Sequence, residues 1–170
     1  MSTAVLSIGS NLGDRLATLR SVVDGLGATL RAASPVYETA PWGGVEQEPF
    51  LNAVVIADDP GLDCRGWLRR ARQFERSAER VRAQRWGPRT LDVDIVTCHA
   101  DGHELISHDP ELTLPHPRAH QRAFVLVPWL AVEPDAVLSV AGRPRRVDEL
   151  LASLDSTERD SVRHTEAVLR

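Results

Sequence analysis

No lysine occurs among the 170 residues; all 20 basic side chains are arginine. A Walker-type phosphate loop needs its lysine and a Schiff base needs an amine, so both are excluded. Any phosphate would have to be gripped by guanidinium forks, which suit bidentate oxygens. For the surface arginines in general, a GC-rich genome is the plainer explanation. Cysteine is nearly absent too, and Cys64 and Cys98 lack metal-ligand or thiol-redox spacing. A reducing cytoplasm is therefore the expected compartment, with Cys98 a small apolar core residue. No apolar run is long enough for a membrane span, and no secretory leader is visible at the N-terminus. The formal net charge of −4 offers nothing to a nucleic acid.

What is present describes one globular domain over residues 1–170, with 42% hydrophobic and 26% charged residues. Thr3 to Ile8 reads as a strand, followed by a turn in which Asn11 or Asp14 can cap a helix. Leu16, Leu19, Val22, Val23, Leu26 and Leu30 then recur at helical spacing. Ala32 to Thr39 reads as a second strand, tolerating Pro35 near an edge, and Phe50 to Ala57 as a third. Trp67, Leu68, Ala71, Phe74, Ala78 and Val81 form the apolar stripe of a second helix, whose other face is dense in arginine. The Trp86–Ile95 segment gives a fourth strand; Thr113 to Pro117 is a rigid loop; Arg122 to Glu133 is a largely apolar helical stretch bent or restarted at Pro128. Val147 to Leu154 reads as a short last helix, and the tail after it is polar. The βαββαβ order predicts an α+β fold with a ferredoxin-like core. Its sheet is antiparallel, with both core helices on one face and the C-terminal additions on the other.

The chemistry concentrates in Arg85-Trp86-Gly87-Pro88-Arg89-Thr90-Leu91-Asp92-Val93-Asp94-Ile95. Strand alternation sends Asp92 and Asp94 to one face, about 7 Å apart, and Leu91, Val93 and Ile95 into a core. Aspartate is depleted in strands, which makes two of them in so apolar a strand informative. Paired carboxylates beside fixed guanidiniums suit a hard divalent cation carrying phosphate oxygens. Asn52, the polar interruption of the third strand, either pins the neighbouring loop or reads the edge of a heterocycle.

These residues in this order resemble the 6-hydroxymethyl-7,8-dihydropterin pyrophosphokinases of folate biosynthesis, from Val5 to about Pro134. The likeness rests on Ile8 to Gly13, Tyr37-Glu38-Thr39, Phe50 to Ala53, and Arg85 to Ile95. Leu114 to Pro117, Arg122 and Phe124 complete it. The resemblance implies transfer of the pyrophosphoryl group of ATP to the pterin hydroxymethyl oxygen, with AMP leaving. It implies that Asp92 and Asp94 hold two Mg²⁺ ions, and that Arg80 and Arg82 close over ATP from a mobile loop. Arg89 would lie nearer the β-phosphate. Nucleotide contacts would come from Glu75, Trp86, Ile95, Thr113, His116 and Arg122 as well. Thr39, Ala40, Trp42, Phe50, Asn52, Trp86, Asp92 and Phe124 would surround the pterin. A monomer is expected, with no nucleic-acid or membrane partner.

Several positions depart from the family pattern. Glu111 stands where an arginine is common, Ala40 where proline is, and Phe50 and Pro117 where tyrosine is frequent. The stretch between Arg82 and Trp86 is one residue shorter than in some members. Two other readings compete: a two-metal nucleotidyl transferase or nuclease, and a non-enzymatic metabolite-binding module of the same fold. The former needs a third carboxylate and a basic groove, and the latter needs no arginine–aspartate cluster.

Overall fold

The computed structural model describes residues 1–40, 48–80 and 90–170. Strand β1 (Ser2–Ser10) leads into helix α1 (Arg15–Leu26), then β2 (Leu30–Ala33), β3 (Tyr37–Thr39) and β4 (Phe50–Asp59). Helix α2 (Cys64–Arg80) precedes β5 (Asp92–Ala100), and β6 (His103–Glu104) follows. A small hairpin, β7 (Ser107–Asp109) and β8 (Leu112–Leu114), comes before helix α3 (Ala123–Val132). A second hairpin, β9 (Val137–Val140) and β10 (Arg143–Arg146), precedes α4 (Val147–Ser153), α5 (Ser156–Asp160) and β11 (Val162–His164).

The main sheet runs β11-β3-β4-β1-β5-β6, with β2 also on β4. Every pairing in it is antiparallel. Residues alternate along its two central strands, and both faces are covered. Ala4, Leu6 and Ile8 of β1 join Leu19, Val22, Trp67, Phe74, Val93 and Ile95 in a core beneath α1 and α2. Val5, Val54 and Val96 join Val125, Leu126, Trp129 and Leu150 in a second core beneath α3 and α4. Burial on both faces is why these strands read as almost continuous apolar runs.

Local signals start the first two helices. Asp14 accepts the Ala17 N–H at 3.1 Å, and Asp63 accepts the Gly66 N–H at 2.7 Å, each satisfying a donor of a first turn. Trp67 is secured further by its indole N–H, which donates to Ser2 Oγ at 2.8 Å. Among the described residues, no helix is long and apolar enough to cross a membrane.

Three expectations are corrected. The strand expected over Ala32 to Thr39 is two strands, parted at Ser34-Pro35-Val36. Proline brings no N–H to the ladder and interrupts it, and beside the break Ser34 Oγ, in place of a strand carbonyl, accepts the Val54 N–H at 2.9 Å. Cys64 and Cys98, whose spacing gave no redox signal and of which Cys98 was expected to be simply a small core residue, form a disulfide across Cα atoms 5.9 Å apart. It joins the first residue of α2 to β5, a juxtaposition made by helix-on-sheet packing and invisible in the spacing. The polar tail is also more than a tail. It adds α5 and an edge strand, β11, which pairs with β3, and it buries Leu169 in the α1/α2 core.

Candidate functional site

The register across three central strands builds the site. Gly9 of β1 lies opposite Asn52 of β4 on one side and Asp92 of β5 on the other. One pair further along, Ser7 faces Val54 and Asp94. Directly paired residues share a sheet face. Asn52, Asp92, Asp94, Ser7 and the bare backbone of Gly9 therefore occupy the face that α3 covers. The companion residues Leu91, Val93 and Ile95 are buried on the opposite face, as alternation requires.

Two neighbours extend this polar floor. Tyr37 of β3 lies opposite Asn52, and Thr39 opposite Phe50. The Asn52 amide nitrogen donates to Thr39 Oγ1, so Asn52, although only 5% exposed, is held rather than orphaned. Its carbonyl end crosses β1, where a Cβ on Gly9 would lie 2.9 Å from Asn52 Oδ1. Any larger residue at position 9 would push the amide aside. Gly9 thereby joins the candidate site, although no separate role was expected of it. The signal for it is its place in the Ile8 to Gly13 string.

Arg122 and Phe124 bracket the start of α3 above this floor. The Arg122 guanidinium stands 3.8 Å from Asp94 Oδ2 and lies 5.4 Å from the centre of the Phe124 ring. Half-exposed at such a distance, the ion pair is weak. His116 comes in from the loop after β8, anchored by its N–H to Val96 O of β5 at 2.9 Å. Its imidazole is held below the ordinary value, chiefly by burial; Asp94 opposes the shift, while Arg122 and Arg118 add to it. The ring is therefore neutral near pH 7. Nδ1 accepts the Arg118 N–H at 3.1 Å, which puts the proton on Nε2. That leaves an N–H donor beside Arg122, the arrangement an anionic oxygen requires.

Other expected residues lie further out. Glu75 reaches from α2 and accepts the Val93 N–H at 3.1 Å, steadying β5 between the two aspartates. Thr113 donates to Asp109 O at 3.0 Å within the β7–β8 hairpin. The Ile95 side chain, expected at the nucleotide, is instead in the α1/α2 core. Phe50 is half-buried and Ala40 exposed at the rim. Trp42, Arg82, Trp86 and Arg89 lie outside the described residues, as does the Arg80 side chain at the end of α2. The expected arginine lid falls there as well.

Residues 5–134 match the family model for 7,8-dihydro-6-hydroxymethylpterin-pyrophosphokinase. The 2-amino-4-hydroxy-6-hydroxymethyldihydropteridine pyrophosphokinase of Mycobacterium tuberculosis is 62% identical over 168 residues, covering 96% of this chain and 89% of its own length. The Mycobacterium leprae protein of the same name is 61% identical, covering 100% and 92%. Among solved structures, an HPPK-DHPS in complex with substrates superposes with a TM-score of 0.63 at 11% identity. It covers 89% of this chain, which spans 43% of that one. A Plasmodium falciparum HPPK-DHPS gives a TM-score of 0.65 at 12% identity, with 96% and 46% covered. At such identities the structures attest the α+β fold alone, whereas the model match and the mycobacterial relatives attest kinship. The chain belongs to the 7,8-dihydro-6-hydroxymethylpterin-pyrophosphokinase family.

Proposed function

We propose that this chain transfers the pyrophosphoryl group of ATP to the hydroxymethyl oxygen of 6-hydroxymethyl-7,8-dihydropterin, yielding the pterin diphosphate and AMP in folate biosynthesis. The bond formed joins the hydroxymethyl oxygen to the β-phosphorus. The bond broken is from the β-phosphorus to the oxygen that departs with AMP. The observation that carries the reading is the row Asn52–Gly9–Asp92, which sets an amide edge and a carboxylate side by side on one sheet face.

Asn52 offers acceptor and donor to the pterin edge while Thr39 fixes its orientation, and Phe124 covers the ring face. Asp92 and Asp94 fit Mg²⁺, since both present hard carboxylate oxygens from one strand face. Among the described residues no group of three or more metal-ligating side chains forms, so phosphate oxygens and water would complete the shell. Two ions are proposed, and when bound they offset phosphate charge and stabilise the leaving oxygen. Arg122 and the neutral His116, through Nε2–H, hold the triphosphate in line with the pterin. With Glu75, Thr113 and the arginines 80, 82 and 89 they complete the proposed nucleotide side. Trp42 and Trp86 join Ala40 and Phe50 around the pterin.

Residues 1–170 act as one domain and one protomer, on a scaffold of ferredoxin-like type. The location proposed is the cytoplasm. There a disulfide between Cys64 and Cys98, 3% and 0% exposed, is shielded from thiol exchange by its burial. The test is AMP formation from Mg-ATP with and without the pterin. Pterin-dependent AMP, one per pterin diphosphate, is expected. ATP hydrolysis indifferent to pterin, or hydrolysis of a polynucleotide instead, would overturn the reading.

A further inference from the structure

The helix that brings Phe124 over the site begins without a cap of its own. Arg122, the residue before α3, makes no side-chain hydrogen bond to the first turn. The first helical N–H, on the fully buried Ala123, donates instead to Glu158 Oε1 at 3.0 Å, across 35 residues of sequence. A carboxylate there also meets the positive end of the helix dipole. Glu158 is itself fixed by its surroundings. Its N–H donates to Asp155 Oδ1 at 2.9 Å, and its carbonyl accepts Ser161 Oγ at 2.6 Å.

We infer that Glu158 is a positioning residue for the pterin side of the site, acting through the start of α3. Ala123 sits between Arg122 and Phe124, so tethering its N–H sets the direction from which both side chains approach the floor. The segment that supplies the tether also reaches the opposite wall. Two residues after α5, β11 begins, and Val162 pairs with Thr39, the hydroxyl partner of Asn52. Residues 156–164 thus strap together the strand that orients Asn52 and the helix that carries Phe124. All of them lie beyond the stretch 5–134 that matches the family model.

This inference rests on the proposed assignment of Phe124 to the pterin. Removing the tether leaves a buried N–H unpaired and the helix start free to shift. In the full-length chain, Glu158→Ala is expected to raise the pterin KM about fivefold through Phe124, and the ATP KM by a smaller factor through Arg122. Glu158→Gln keeps an oxygen acceptor and is expected to restore most of the loss. Asp155→Ala, which frees the backbone of Glu158 without touching α3, is the second variant should Glu158→Ala not fold, and a smaller rise of the same kind is expected. Phe124→Ala is measured alongside. If Phe124→Ala raises the pterin KM but the variants at 158 and 155 change only thermal stability, Glu158 is merely structural and the inference falls. If neither Phe124→Ala nor the tether variants move it, the site assignment falls first.

Discussion

The two faces of β5 differ in what their side chains are for, although the residues alternate along a single strand. Leu91, Val93 and Ile95 are at most 6% exposed and pack beneath α1 and α2. Asp92 and Asp94, interleaved with them, remain partly exposed on the other face. That other face is divided in turn. Toward its far end Val5, Val54 and Val96 meet Leu126 and Trp129 in a dry core, while near Gly9 and Ser7 it stays polar. Along this one face, then, an apolar stretch is sealed under helix while Asp92 and Asp94 at the polar end keep partial access to solvent. Substitutions one residue apart should therefore report on different properties.

The largest effect is expected from the carboxylates. Asp92→Ala or Asp94→Ala should lower turnover by about a thousandfold or more, with a melting temperature close to the parent's, because a partly exposed ligand contributes little packing. Near-normal turnover in both at saturating Mg²⁺ would end the proposed metal role. Next comes the opposite face. Ile95→Ala should cost about 3 kcal/mol of stability, a fall of roughly 10 °C on melting, while folded molecules keep their turnover. Loss of activity without loss of stability there would erase the contrast between the faces.

The polar row around Gly9 should give a third, smaller signature. Gly9→Ala displaces the Asn52 amide, and Phe124→Ala removes a ring, so each should raise the pterin KM about tenfold with ATP binding unchanged. Calorimetry showing ATP affinity falling instead would mean that the two substrate sides are exchanged. The smallest effect concerns His116. Its folded value lies below the ordinary imidazole one, so the unfolded chain takes up the proton first as pH falls. The stability it contributes is complete above about pH 6.5 and is lost as the pH drops through the lowered folded value. Melting curves from pH 8 to pH 5 should decline less for His116→Asn than for the parent. Identical declines would place the imidazole outside the linkage.

Much of the scaffold was readable because it rests on periodicity. Helices α1 and α2 were announced by spacing of 3.6 residues and the aspartates of β5 by alternation, whereas β1, β4 and α3, with Pro128 inside it, were read as short apolar runs. What escaped had no periodic signature. A three-residue strand such as β11 has too few residues to alternate visibly, and exists because β3 offers it an edge. The split at Ser34 depends on a serine hydroxyl reaching the ladder of another strand.

The site divides similarly. Asp92 and Asp94 could be placed on one face from strand geometry alone, and Asn52 could be marked as a buried amide in need of partners. The family resemblance suggested roles for Phe124, His116 and Arg122 that neither spacing nor composition supplies. Gly9 was legible only as a glycine in a turn, since what matters is the Asn52 oxygen resting where its side chain would be.

By itself, then, the sequence determined the local choices: which residues alternate, which stripes are apolar, where Asp14 and Asp63 start helices, and that arginine alone must meet phosphate. Those depend on neighbours within a turn or two. Only the tertiary structure decided that Asn52, Gly9 and Asp92 stand in one row, that Cys64 meets Cys98, and that Glu158 caps the helix bearing Phe124. Each of these joins residues distant in the chain, and strand register and helix packing, which no short window of sequence contains, bring them within bonding distance.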